Sequence, residues 1–135
     1  MESGHLRIGE QEFPTLLAIS EDEQAMGLMH QPWPPPIMSF VYPVPKVSRF
    51  WMKNTPSPLD IVFCNQGKIT QIHKGEPYST TAIGDHIFSD LIVEFPYGTV
   101  KKSSIQIGLP IELIKPNKNE LKKIFAQKLN NLIKF

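Results

Sequence analysis

Arg49-Phe50-Trp51-Met52-Lys53-Asn54-Thr55-Pro56-Ser57-Pro58-Leu59-Asp60-Ile61-Val62-Phe63 sets two apolar, strand-like runs on either side of a turn with four polar side chains and two prolines. Proline lacks the amide hydrogen that a ladder needs, so this turn ends one strand and starts the next. Outward from it the pattern recurs. Ile37 to Tyr42, Val47 to Met52, Leu59 to Cys64, Lys68 to His73 and Asp90 to Phe95 are each short, apolar-rich and bounded by Pro, Gly or Asn. Such spacing predicts a meandering sheet or barrel, mainly β with minor α, and mostly antiparallel.

Smaller signals fill the gaps. Phe13 to Ile19 reads as a strand, and Ser20 with Glu23 offers a capping box for a short helix to about Met29, its apolar positions Ala25, Leu28 and Met29 facing the sheet. Gln31 to Pro36 ends that helix in an extended connection. Asn65-Gln66-Gly67 predicts a hairpin turn, with Gly67 free to take positive φ. Gly75 to His86 reads as a long loop, Tyr97 to Ser103 as one helical turn and Gly108 to Ile114 as a closing strand.

The chain has 135 residues, a length that suits one domain without disulfides or metal staples. Its 13 prolines favour short strands and shaped turns. The single cysteine, Cys64, excludes an internal disulfide framework. The sequence shows no basic region followed by an apolar segment at its start, and no window long and apolar enough for a membrane-spanning helix, so a cytoplasmic location is expected.

Charge is unevenly placed. Residues 115–135 hold six lysines and one glutamate, whereas the preceding body has eight basic and twelve acidic residues. Asn117 and Glu120 repeat the capping-box pattern, and Leu121, Ile124, Phe125, Leu129 and Leu132 recur at helical spacing. An amphipathic helix over 117–133 must cover its apolar stripe on the sheet, on another copy or on a protein partner. In a partner's groove, Phe125 and Leu129 would anchor while Lys122, Lys123 and Lys128 met acidic surface, with Leu121 and Leu132 as further contact candidates. The asymmetry also fits nucleic acid, but a solvated lysine-rich helix face is the commoner explanation, and nucleic acid is not expected. The resulting division is an N-terminal arm or first strand (1–12), a β domain (13–114) and a basic helical tail (115–135).

Gly27-Leu28-Met29, Phe50-Trp51-Met52-Lys53-Asn54-Thr55, Pro58-Leu59-Asp60 and Val93-Glu94-Phe95-Pro96-Tyr97-Gly98-Thr99 together resemble the small β-rich family known as domain of unknown function 192, over roughly residues 13–114. The resemblance implies a compact, barrel-like domain with a small helix, found in bacteria, archaea and some phages. It carries no reaction with it. His30 stands where an arginine commonly follows Gly-Leu-Met, and Ile37-Met38-Ser39-Phe40 replaces a more usual Gly-Met-Leu-Phe.

Asp60 and Glu94 form the best candidate carboxylate pair, since each interrupts an apolar strand. Glycosidic chemistry would need the two about 5 to 9 Å apart across a cleft. The structural alternative has Asp60 accepting amides of the Asn54-Thr55-Pro56 turn and Glu94 paired with Lys53 or Arg49. Trp51, Lys53 and Asn54 could line a small-molecule or sugar groove beside the two carboxylates. Phe50 and Trp51 point to opposite sides of a strand, so one of them reaches a groove or partner unless both faces are covered.

His5, His30, His73 and His86 are too scattered for a metal motif, Cys64 sits in an apolar run without an activating base, and no phosphate loop, nucleophile elbow or cofactor fingerprint is present. The expected protein is a non-enzymatic β-rich binding or assembly module docking through its C-terminal helix, a virion accessory or structural protein if the source is a phage. The alternative is a small-molecule or carbohydrate-handling enzyme with its groove near Trp51, Asn54, Asp60 and Glu94.

Overall fold

The computed structural model describes residues 1–115 together with residues 126, 127, 129 and 130. In chain order the elements are β1 (Glu2–Ile8), β2 (Gln11–Ala18), α1 (Glu21–Met26), β3 (Met38–Val47), β4 (Leu59–Asn65), β5 (Lys68–Gly75), β6 (Phe88–Pro96), α2 (Thr99–Lys102) and β7 (Ile111–Lys115). The strands form one sheet in the order β5-β4-β6-β3-β2-β1-β7. Adjacent strands are antiparallel except for β2 and β3, whose short parallel pairing sets Leu16 to Ala18 beside Met38 to Phe40.

The sheet curls into a half-barrel rather than closing along its whole length. Its two edge strands meet at one end only, where Ile69 N–H donates to Leu109 O (3.0 Å), Gly108 N–H to Ile69 O (2.8 Å) and Ile111 N–H to Gly67 O (3.0 Å). Pro110 stands opposite Lys68 at this junction and has no amide hydrogen to extend the ladder.

Alternation along the strands builds two cores. Leu6, Leu17, Val41, Val62, Ile69, Val93, Phe95 and Ile111 come from all seven strands and fill the inside of the curl. On the other face, Leu59, Ile61 and Phe63 of β4, Ile92 of β6, and Met38 and Phe40 of β3 are buried with Leu28 and Met52. The central strands are thus covered on both sides, which explains their near-continuous apolar runs.

Two boundaries differ from the sequence reading. A separate strand over Val47 to Met52 does not form: β3 runs on through Pro43 and Pro45 to Val47, and beyond it only Phe50 makes a bridge, to Ile83. Between Val41, opposite Leu91, and Lys46, opposite Ser89, the register slips, so the residues that cannot donate amides fall in the bulge. The first helix stops at Met26, because Gly27 leaves it with φ of +49°. Ala25 is therefore exposed, Leu28 reaches the core from beyond the helix, and Gln24 is partly buried, its amide donating to Ala18 O and Val41 O (3.1 Å each).

Other local signals appear as expected. The capping box is complete, with Glu23 N–H donating to Ser20 Oγ (3.1 Å) and Ser20 N–H to Glu23 Oε1 (3.0 Å). The β4–β5 hairpin turns at Gln66 and Gly67, both at positive φ, in register with Asn65 opposite Lys68. Of the tail helix expected over 117–133, Leu121, Lys122, Phe125, Lys128 and Leu132 lie outside the described residues, and Leu129 is exposed.

A cleft over a buried glutamate

The family-like landmarks, distant in sequence, meet at two junctions. At the first, His30 N–H donates to Asn54 O (2.8 Å) and Ser57 Oγ to Gln31 O (3.0 Å), which joins the Gly27-Leu28-Met29 segment to the Met52-to-Thr55 turn. Asn54 takes φ of +55°, a conformation that asparagine tolerates better than most residues, and Thr55 N–H closes the turn on Met52 O (3.1 Å). At the second, Tyr97 N–H donates to Pro58 O (3.0 Å), and Asp60 Oδ2 accepts from Gly98 N–H and Val100 N–H (3.0 Å each).

Asp60 is only 6% exposed, and its carboxylate holds the start of α2 against the inner core. Its amide partners come from residues 98 and 100, not from the Asn54 turn as the sequence reading has it. That partner lies some 40 residues away, at a distance no local motif signals.

Glu94 points the other way. Asp60 stands opposite Phe95 and Ile61 opposite Glu94 on paired strands β4 and β6. Paired residues share a face and neighbours alternate, so the two carboxylates project from opposite faces of the sheet and do not converge on one substrate. Glu94 is 4% exposed. It makes no ion pair or hydrogen bond through its side chain among the described residues, and neither Lys53 nor Arg49 reaches it. Burial alone pushes its carboxyl up to about 8.

Above Glu94 lies a cleft of about 360 Å³. Residues 24–29 of α1 and its exit form one wall, Phe40 and Tyr42 of β3 with residues 46–51 form the other, and Thr55 closes one end. Gly27 lies against this floor: a Cβ there would stand 3.7 Å from Glu94 Oε1 and 3.4 Å from the Phe40 ring, in van der Waals contact with both. The Tyr42 hydroxyl is pushed up to about 12, chiefly by burial, with the nearby Ser48 hydroxyl opposing the rise and Glu94 adding to it. Phe50 packs edge-on against Phe40 and Phe63 (centroids 4.8 and 5.9 Å).

Trp51 takes the exposed role. It is 50% exposed at the cleft rim, with Lys53 Nζ 5.1 Å from its ring centroid. Of the groove predicted from sequence, the structure therefore brings Trp51 and Glu94 to one cleft and sets Lys53 over the outer indole. Asn54 is a backbone turn residue, and Asp60 is on the far face. The walls supplied by α1, Gly27 and Tyr42 were not foreseen; the Gly27-Leu28-Met29 landmark was the signal that could have pointed to them. Among the described residues no cluster of three His, Cys, Asp or Glu side chains could hold a metal ion, and no helix is long and apolar enough to cross a membrane.

The fold is that of a curled, mainly β half-barrel, with a cleft over Glu94 on its outer face. The profile of the DUF192 family, described as an uncharacterized ACR, matches residues 5–113, and the chain belongs to this family. The match begins within β1, upstream of Phe13 where the sequence resemblance starts. Similar solved structures include the following two. One is a protein of unknown function from Novosphingobium aromaticivorans, 26% identical, with a TM-score of 0.75 over 82% of this chain and 84% of that one. The other, from Sinorhizobium meliloti, carries the provisional description of a transcription regulator; it is 27% identical, with a TM-score of 0.76 over 83% of this chain and 94% of that one. No curated protein matches the chain.

Proposed function

We propose that the chain is a non-enzymatic binding module whose ligand enters the cleft over Glu94. The observation that carries this reading is the glutamate itself. A buried carboxyl without a partner lowers stability, and an unpaired group of this kind at the base of an open cleft is explained by a ligand that completes it. The enzyme reading loses its second carboxylate, because Asp60 faces the inner core and is already satisfied by two amides. The regulator description of the Sinorhizobium relative raises nucleic acid as a partner, but the acidic balance of residues 1–114 disfavours a phosphate backbone.

The test is a small-fragment screen on the full chain, read by amide NMR at neutral pH. Binders should shift the amides of Gly27, Phe50, Thr55 and Glu94 together. Hits that gather elsewhere, or none at that set, would overturn the reading.

Docking through the tail remains a second mode, supported by the apolar spacing and lysines of residues 117–133; attachment to a virion, if the source is a phage, would be one form of it. Light scattering of full-length protein beside a version ending at Lys115 checks it. Assembly that disappears on truncation supports tail docking, and equal monomeric masses with no added partner refute self-association.

A further inference from the structure

Resting on the reading of the cleft as a binding site, we infer that its ligand is a small zwitterionic amine, with its ammonium group on Glu94 and its anionic group toward Lys46 and Arg49. The cleft is polarised. Its base carries an unpartnered carboxyl, and its rim carries two exposed cationic side chains, neither held in an ion pair among the described residues. Lys46 Nζ lies 5.0 Å from the Tyr42 ring centroid, so one rim charge is already positioned at the mouth.

Each simpler ligand leaves one end unmatched. A plain anion would be met at the rim but, held there, leaves the Glu94 carboxyl at the base unpaired. A plain cation would satisfy Glu94 but must pass two positive side chains. An amine carrying its own anionic group matches both ends, and the aromatic walls of Phe40, Tyr42 and Phe50 suit both its methylenes and its ammonium.

The inference also predicts a proton balance. The charged or titratable groups facing the cleft are Glu94 on β6, Tyr42 and Lys46 on β3 and Arg49 just beyond; the wall formed by residues 24–29 contributes none. Burial holds the Glu94 carboxyl protonated up to about pH 8, so pairing with an ammonium releases that proton. Affinity should rise up to about tenfold per pH unit from pH 6 toward 8 and then level off.

The experiment titrates the full chain, by calorimetry and amide NMR, with two sets of probes. One is 6-aminohexanoate, hexylamine and hexanoate; the other is leucine, 3-methylbutylamine and 4-methylpentanoate. At least one zwitterion should bind best, its amine-only relative a few-fold more weakly, and its acid-only relative not at all. Glu94→Gln should abolish amine binding and flatten the pH profile while the protein still melts cooperatively. The double variant Lys46→Ala/Arg49→Ala should reduce the zwitterion to the level of the plain amine. Hexanoate binding as tightly as 6-aminohexanoate, or amine binding that survives Glu94→Gln, overturns the inference and leaves the cleft as a site for other chemistry. If neither set binds, the inference fails; the fragment screen then decides whether the cleft binds anything.

Discussion

Asp60 and Glu94 sit on neighbouring strands, both almost fully buried, yet on opposite faces of one sheet. On the inner face, Asp60 accepts two amides and ties α2 to β4. On the outer face, Glu94 has no side-chain partner among the described residues and opens onto a cleft. The same chemical group thus serves structure where the backbone completes it and is left available where the backbone stands back. The contrast shows why buried charge alone does not identify a site. What distinguishes the two is whether the fold supplies the hydrogen-bond donors.

The largest effect should come from pH acting on Glu94. Its folded carboxyl titrates near 8 instead of the ordinary 4.5, so between these values the folded protein holds a proton that the unfolded chain has released. The favourable contribution is complete below about pH 4.5 and is lost as pH rises through about 8. Stability should fall by up to about 1.4 kcal/mol per pH unit within that window. Glu94→Gln should remove the slope and be the more stable protein at pH 8. Denaturant melts at several pH values check this, and parallel curves for both proteins would show that Glu94 has a partner after all.

Asp60 should behave in the opposite sense on substitution. Asp60→Ala leaves the amides of Gly98 and Val100 without their acceptor in a partly buried setting and should cost about 2 to 3 kcal/mol. Ligand binding in the outer cleft should survive, because the α2 junction lies across the sheet. Loss of cleft binding in a variant that still melts cooperatively would erase the distinction between the two faces.

What the sequence discloses follows the range of the interactions involved. The strands now seen as β4, β5 and β6, the Gln66-Gly67 turn and the Ser20–Glu23 capping box are written in neighbouring residues, and they are legible for that reason. Strand β3 is misread because prolines ordinarily end strands, whereas here Pro43 and Pro45 fall where the register slips and no ladder amide is needed. The site is half legible. Glu94 and Trp51 stand out as a charge and an indole within apolar runs, but pairing order decides the rest. Only the knowledge that β4 lies beside β6 in that register separates Asp60 from Glu94 onto different faces. Nothing local reports that Gly27 lies against the cleft floor, since its neighbours there, Phe40 and Glu94, are far along the chain.

The smallest effect tests how firmly the outer cleft is walled. Helix α1 has only six residues, too few to persist unaided, so its capping box and the Gln24 bonds hold the wall that shields Glu94. Partial burial raises the Glu23 carboxyl, but the amides of Ser20 and Ile19 and the Ser20 hydroxyl outweigh it and hold the group below its ordinary value. Its contribution is therefore present above about pH 4.5 and lost as pH falls, the reverse of Glu94. Ser20→Ala should cost about 1 kcal/mol. If α1 is what keeps Glu94 dry, its loosening should also bring the Glu94 titration, followed by side-chain carboxyl NMR, down from about 8 toward 4.5. A Glu94 midpoint unmoved by Ser20→Ala would assign the burial to β3 and β6 alone and make the helix a bystander to the cleft.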